Sequence, residues 1–202
     1  MKGIILAGGN GTRLHPLTKV ASKQLLPIYD QPMIYYPLQT LLRGGIRDIL
    51  IIVAPSTAGQ FLHFLGSGKE YNAKFTYEVQ DSPNGLPEAF KIGAHFIAGD
   101  SVTLILGDNV FEDDFSDHIS SFQSGGKIFA KKVPDPSLYG VVKFDEQRRV
   151  ERIVEKPKEF VSEYANVGIY IYDSRVVEVA QGLKPSVRGE TEITDIHNWY
   201  LS

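Results

Sequence analysis

No cysteine occurs in the 202 residues, which excludes a disulfide scaffold, a thiolate metal site and a cysteine nucleophile. Neither sign of charge dominates. The 21 Lys and Arg stand against 24 Asp and Glu, and a formal net charge of −3 offers no basic field to a nucleic-acid backbone. Any phosphate must therefore be held by a local cluster, which points to a small-molecule site. Long apolar runs are also missing. The opening stretch Gly3–Ala7 is too short to span a bilayer, and glycines follow where a signal peptide would continue apolar. The expectation is a cytoplasmic protein with no membrane and no nucleic-acid partner. What remains is 43% hydrophobic and 22% charged, ordinary for a globular chain with one real core.

Short β-branched runs alternate with helical patterns. Ile4–Ala7, Ile49–Val53 and Val102–Leu106 are continuous apolar runs of the kind that form parallel strands covered on both faces. Between them the pattern predicts helices over Met33–Arg43, Thr57–Leu65 and Pro87–Ile97, each followed by glycine, with a further strand at Phe75–Val79. This order predicts an α/β fold built on a doubly wound, mostly parallel, Rossmann-like sheet. Ligands of such sheets sit beyond the carboxyl ends of the strands. After about residue 125 the pattern becomes mixed and β-rich. Tyr139–Phe144 and Val150–Glu155 flank a polar turn as a hairpin, Asn166–Tyr172 is a strand, and helices follow around Arg175–Gln181 and Glu192–Leu201.

Chemistry gathers at a few places. Directly after the first strand, Leu6-Ala7-Gly8-Gly9-Asn10-Gly11-Thr12-Arg13-Leu14 lets the backbone turn tightly and bring its N–H groups close to anionic oxygens. Arg13 adds a planar, permanently charged fork suited to phosphate. A dinucleotide fingerprint would need Gly or Ala where Leu14 stands, and no Gly-Lys-Ser/Thr of a P-loop follows. Ten residues on, Lys23 precedes Leu25-Leu26-Pro27; alone it is a solvated charge, but after such a loop it suits a second phosphate contact. Gly107-Asp108-Asn109 places a carboxylate just past a strand end, where either an Asx turn or a hard-cation ligand is expected. Gln80 and Gly85 lie in a strand-to-helix stretch that alone reads as a turn, though an amide side chain offers both a donor and an acceptor. Glu112-Asp113-Asp114 reads as a solvated helix start, and the five histidines show no metal-ligand spacing.

The ordered set of Leu6–Leu14, Pro16-Leu17-Thr18 and Lys23–Pro27 resembles the signature of the sugar-1-phosphate nucleotidylyltransferases. Pro32–Leu38 is similar to the segment that follows it in the thymidylyltransferase branch, and the likeness continues through Ile105–Asn109, Glu155-Lys156-Pro157 and Arg188-Gly189-Glu190. The resemblance implies a sheet of the nucleotide-diphospho-sugar transferase type and one catalytic domain over residues 1–202. A nucleotide-binding half would cover about residues 1–125, and a sugar-phosphate-binding half about residues 126–202. It implies the Mg2+-dependent conversion of dTTP and α-D-glucose 1-phosphate into dTDP-glucose and pyrophosphate, supplying dTDP-rhamnose-type sugars and surface polysaccharide, in a dimer or tetramer. UTP is the close alternative, with another sugar 1-phosphate; a nucleotide-binding homologue without turnover is a second.

Residue by residue, the resemblance implies that Leu6, Gly8, Gly9, Gly11, Thr12, Arg13, Lys23, Gln80, Gly85 and Asp108 bind the nucleotide. Tyr139, Gly140, Glu155, Lys156, Asn166, Tyr170 and Arg188 would bind the sugar phosphate, and Arg13, Lys23, Asp108 and Lys156 would act in catalysis, with Asp108 on the metal. Asn166-Val167-Gly168 departs from the Val-Thr-Gly common in thymidylyltransferases, and so bears on hexose specificity. Family members continue past Asn198–Ser202 into a segment carrying a second metal-binding Asp, so a C-terminally shortened form, or a cation site with one protein carboxylate, is expected.

Overall fold

The β-branched runs form the middle of one sheet. The computed structural model describes residues 1–9 and 11–202. In chain order its elements are β1 (Lys2–Ala7), β2 (Pro27–Ile28), β3 (Gln31–Pro32), α1 (Tyr35–Arg43), β4 (Asp48–Val53), α2 (Ala58–Leu65), β5 (Lys74–Val79), α3 (Glu88–Ile92) and α4 (Ala94–Ile97). There follow β6 (Val102–Leu106), α5 (Ser116–Ser120), β7 (Gly126–Lys132), β8 (Gly140–Phe144), β9 (Val150–Glu155), β10 (Tyr164–Tyr172), α6 (Val176–Gly182) and α7 (Ile193–Leu201).

The main sheet runs β5-β4-β1-β6-β10-β8-β9, with β7 also paired to β10, while β2 and β3 form a separate small ribbon. Strands β5, β4, β1 and β6 are mutually parallel, and β10 reverses direction beside β6. Successive residues of each central strand enter opposite cores. Ile5, Ile51 and Ile105 pack with Leu38 and Leu41 of α1 and Phe61 and Leu65 of α2. Ile4, Leu50 and Leu104 pack with Phe90 of α3, Val176 and Ala180 of α6, and Ile196 of α7. Burial on both faces is why these strands read as continuous apolar runs rather than alternating ones. The expected doubly wound α/β sheet with a mixed second half is what forms.

Four details depart from the sequence reading. The helix expected over Pro87–Ile97 is two helices parted at Gly93. A Cβ there would lie 2.9 Å from the Ala89 carbonyl oxygen and 3.0 Å from Ile4 Cδ1, so the glycine lets the pair press onto the sheet at the cost of continuity. The glycine loop, after which no regular element was expected before Met33, leads into three one-turn 3-10 helices, at Thr12–Leu14, Leu17–Lys19 and Lys23–Leu25. Glu112–Asp114 precede rather than start α5, and Asp114 accepts from the Ser116 amide at 2.9 Å. Strand β7 was not anticipated. Among the described residues it pairs with β10 alone, and its three lysines blunt an open edge rather than advertise a buried strand.

Strand β10 divides the sheet. Along one edge it pairs with β7 at both ends. Along the other edge Ile169–Tyr172 pair with β6, whereas Ala165 pairs with Val141 of β8. Strand β6 stops at Leu106, so the sheet opens into a fork between the end of β6 and the start of β8, floored by Asn166–Gly168. Among the described residues no helix is long and apolar enough to cross a membrane.

Candidate active site

The fork and the carboxyl ends of β1, β6 and β5 share one cleft with two compartments. The smaller, about 250 Å³, is walled by Leu6 and Gly9 after β1, Lys23 and Gln24, Gln80 and Gly85 after β5, and Asp108 after β6. The larger, about 640 Å³, fills the fork and takes its wall from Arg13, Tyr139, Gly140, Glu155, Lys156, Asn166, Tyr170 and Arg188. Leu86, Leu106, Asp108 and Glu190 line both. Both volumes are of the order of small-ligand pockets.

Asp108 stands at the junction because β6 ends one residue before Gly107, whose amide still bonds to the Leu6 carbonyl at 2.9 Å. Its carboxylate pairs with the Lys23 ammonium and accepts from Asn109 Nδ2 at 3.1 Å. Gln80 is 6% exposed and extends β5, its amide bonding to the Val53 carbonyl at 2.9 Å. Its side chain donates to Glu88, which also accepts from Asn84 Nδ2 at 2.8 Å. Gly85 holds φ at 109°, and a Cβ on it would fall 2.0 Å from the Thr191 carbonyl oxygen. Thr191 donates to the Asn84 carbonyl through both its amide and its hydroxyl, so the segment before α7 clamps this loop.

In the larger compartment Arg188 makes a two-pronged contact with Glu192, at 3.1 and 2.9 Å, and lies 3.7 Å from Glu155 and 3.8 Å from Glu190. Burial, seconded by the neighbouring Glu192 carboxylate, raises the Glu155 carboxyl above its ordinary range despite Arg188 and Lys156. Lys156 reaches the site from a backbone at φ 39°, with its ammonium 4.0 Å from Glu155. Below them Asn166 is buried. One end of its amide meets His197 Nε2 at 2.9 Å, and Nδ1 of that ring meets the Tyr172 hydroxyl at 2.5 Å. The other end, Oδ1, has no partner among the described residues. Desolvation holds His197 neutral, with its pKa lowered to about 3. Tyr170 is 3% exposed, so it is at once a core residue and a wall of the cleft, and burial raises its phenol.

All seven residues expected around a sugar phosphate line the larger compartment. Of those expected around a nucleotide, Leu6, Gly9, Lys23, Gln80, Gly85 and Asp108 line the smaller one, while Gly8, Gly11 and Thr12 do not. Gly8 backs the wall instead, since a Cβ there would sit 2.6 Å from Gln80 Oε1. Arg13 lies on the larger compartment, exposed on its one-turn helix. Asn10 lies outside the described residues. Not anticipated at all were the roles of Gln24, Glu88, Thr191 and Glu192. Glu190 stood in a recognised motif without a role of its own. Among the described residues no group of three or more His, Asp or Glu forms a metal cage. Asp108 suits instead a hard cation shared with ligand phosphates, because such ions commonly take only one or two protein carboxylates.

The nucleotidyl transferase family matches residues 2–202. The chain is 50% identical to a glucose-1-phosphate thymidylyltransferase of Neisseria meningitidis, over 100% of this chain and 71% of that protein. It is 51% identical to one of Mycobacterium tuberculosis, with the same coverage. A crystal structure from Bacillus anthracis, described as a glucose-1-phosphate thymidylyltransferase in complex with a sucrose, superposes with a TM-score of 0.93 at 47% identity, over 100% of this chain and 82% of that one. A UDP-glucose pyrophosphorylase bound to UDP-glucose shares the fold, with a TM-score of 0.82 at 24% identity, over 99% of this chain and 86% of that one.

Proposed function

The chain belongs to the nucleotidyl transferase family, and on that basis we propose that it transfers the thymidylyl group of dTTP to α-D-glucose 1-phosphate, releasing dTDP-glucose and pyrophosphate. The observation that carries this reading is the pair of compartments meeting at Asp108, whose carboxylate pairs with Lys23 in the smaller one. One is walled by an amide and glycine turns, the other by a carboxylate, a lysine and an arginine. Two substrates that must meet at one phosphorus need such a junction.

In this reading the nucleotide half of the chain takes dTTP. The base rests against Gln80 and Gly85, and the phosphates run toward Lys23 and Arg13. The second half takes the sugar on Tyr139, Gly140, Glu155, Asn166 and Tyr170, and its phosphate on Lys156 and Arg188. A phosphate oxygen of the sugar attacks the α-phosphorus, a new P–O bond forms, and the bond to the β-phosphate bridging oxygen breaks with pyrophosphate as leaving group. No covalent enzyme intermediate is required; holding the two anions in line and offsetting their charge supplies most of the acceleration. Arg13 is suited to the attacking side, since it lines the larger compartment. Mg2+ would be held by Asp108 together with the nucleotide phosphates, and would supply charge neutralisation on the triphosphate. Cytoplasmic location and self-association into dimers or tetramers accompany this reading.

The test is pyrophosphate release across dTTP, UTP, dCTP and dATP paired with glucose 1-phosphate and other hexose 1-phosphates. The reading expects dTTP with glucose 1-phosphate to give the highest kcat/KM. A preference for UTP would replace it with uridylyl transfer, and tight dTTP binding with no pyrophosphate from any pair would make the chain a binding homologue.

A further inference from the structure

We propose that Glu88, on the first turn of α3 and outside the cleft wall, sets the base preference of the smaller compartment by fixing which end of the Gln80 amide faces the ligand. The inference rests on the nucleotide lying against Gln80. A primary amide has a donor end and an acceptor end that differ little in shape, so its neighbours decide its orientation. Here Glu88 decides it. A carboxylate only accepts, and the Gln80 Nε2 donates to Glu88 Oε2 at 2.5 Å. The carboxylate is itself held, with Oε1 accepting from Asn84 Nδ2 at 2.8 Å and Oε2 from the Asn84 amide at 3.3 Å. The carbonyl end, Oε1, lies against the Gly8 backbone, at a place a Cβ would invade, and has no hydrogen-bond partner among the described residues. With Nε2 held by Glu88, the acceptor Oε1 and the second N–H of Nε2 are the groups Gln80 has left for a ligand of the compartment it lines.

That pattern matches one kind of pyrimidine edge. Thymine and uracil present an N3–H donor flanked by carbonyl acceptors, so N3–H meets Oε1 and a carbonyl meets the spare N–H. Cytosine presents the reverse, with a bare N3 beside an amino group. To pair with it in the pose that suits thymine, Gln80 must flip and aim its carbonyl at the Glu88 carboxylate, setting two acceptors against each other. Gln80 is 6% exposed, so water cannot make good the mismatch. Glu88 is a positioning residue that penalises the flip, and discrimination against dCTP follows from it.

The experiment compares kcat/KM for dTTP and dCTP, with glucose 1-phosphate saturating, in the wild-type chain, Glu88→Gln and Asn84→Ala. Gln at position 88 keeps the size and can accept or donate, so it tolerates either orientation of Gln80. The expected result is that the dTTP-to-dCTP ratio falls about tenfold or more in Glu88→Gln, on the scale of one mispaired buried hydrogen bond. Most of the change should come from better use of dCTP, with the KM for glucose 1-phosphate unmoved. Asn84→Ala, which disturbs the loop but leaves Glu88 on Gln80, should keep the wild-type ratio. An unchanged ratio in a folded Glu88→Gln overturns the inference and leaves thymidylyl transfer standing, as does an equal fall in Asn84→Ala. If no pair is turned over, calorimetric binding of dTTP and dCTP to the same variants decides it: a thymine preference that relaxes in Glu88→Gln upholds the inference while the transfer reading falls, and no such preference overturns both.

Discussion

Replacing His197 with Gln should flatten the acid side of the stability curve. His197 is 3% exposed and sits between Asn166 and Tyr172, where burial lowers its pKa to about 3. An unfolded histidine titrates near 6.5. The folded pKa is depressed, so below about pH 6.5 the unfolded chain takes up a proton that the folded chain refuses, and folding weakens as pH falls. With those two values the loss between pH 7 and pH 5 is about 2 kcal/mol, a sizeable part of the 5–15 kcal/mol typical of a domain. Below about pH 3 the folded form would protonate as well and the loss would level off. Gln keeps a donor and an acceptor for Asn166 and Tyr172 but does not titrate. Urea unfolding at half-unit steps from pH 7.5 to 5 measures the difference. The gap in unfolding free energy between wild type and His197→Gln should shift by about 2 kcal/mol in favour of the variant as pH drops, whatever its offset at pH 7.5. Carboxylates titrating in that window are common to both chains and cancel. Parallel curves would show that His197 is solvated or charged, and would remove the neutral ring from beneath Asn166.

Arg13→Ala should lower kcat on the order of 10²- to 10³-fold with an unchanged melting temperature, because the exposed side chain makes no hydrogen bond or ion pair among the described residues; near-normal turnover at saturation would make it a surface residue. Gln80→Ala should raise the KM for dTTP well above any change for glucose 1-phosphate, and equal losses would take Gln80 out of the base pocket. Gly85→Ala combines φ at 109° with a Cβ 2.0 Å from a backbone oxygen, so a loss of about 1–3 kcal/mol in stability is expected, together with weaker dTTP binding; a melting temperature within error of wild type would mean that the loop relaxes freely. Glu155→Gln should raise the melting temperature at neutral pH while raising the KM for the sugar phosphate. The raised carboxyl pKa means ionisation costs stability as pH climbs, so the gap should close on acidification, and a gap that widens in acid would invert the argument.

The sequence made the parallel half of the fold plain because its strands are buried on both faces, and such strands leave uninterrupted runs like Ile49–Val53. The same reasoning hides β7. A strand paired on one side and carrying Lys127, Lys131 and Lys132 has neither a continuous run nor a clean alternation. Gly93 illustrates a second limit, since whether a glycine inside a helical pattern is tolerated or breaks the helix depends on what it presses against, here Ile4 and Leu50. For the cleft, glycine and charge motifs sufficed to find residues whose own atoms face it. They were silent about residues that act through another side chain. Glu88 looks like any first-turn acid until it is seen on Gln80, and Thr191 is separated by over a hundred residues from the Asn84 it holds.

Strand β10 explains why the two sets of motifs converge. Ligands of a parallel sheet gather past the carboxyl ends of its strands, which places Asp108 and the glycine loop. A further parallel strand beside β6 would run out toward that same end and close the crevice on one side. Because β10 is antiparallel, it enters from the ligand side with Tyr164–Asn166 and reaches β6 only at Ile169. Its first residues therefore overhang the end of β6, and β8 takes the edge that β6 has vacated. Tyr139 and Gly140 at the head of β8, and Glu155 and Lys156 at the tail of β9, are thereby set across from Asp108 rather than beside it. The second compartment is the space that the reversal leaves. Its floor, Asn166–Gly168, is the stretch between the β8 partner at Ala165 and the β6 partner at Ile169, so substitutions in β10 should alter sugar-phosphate affinity more readily than nucleotide affinity, and KM values measured separately for the two substrates would expose the opposite pattern.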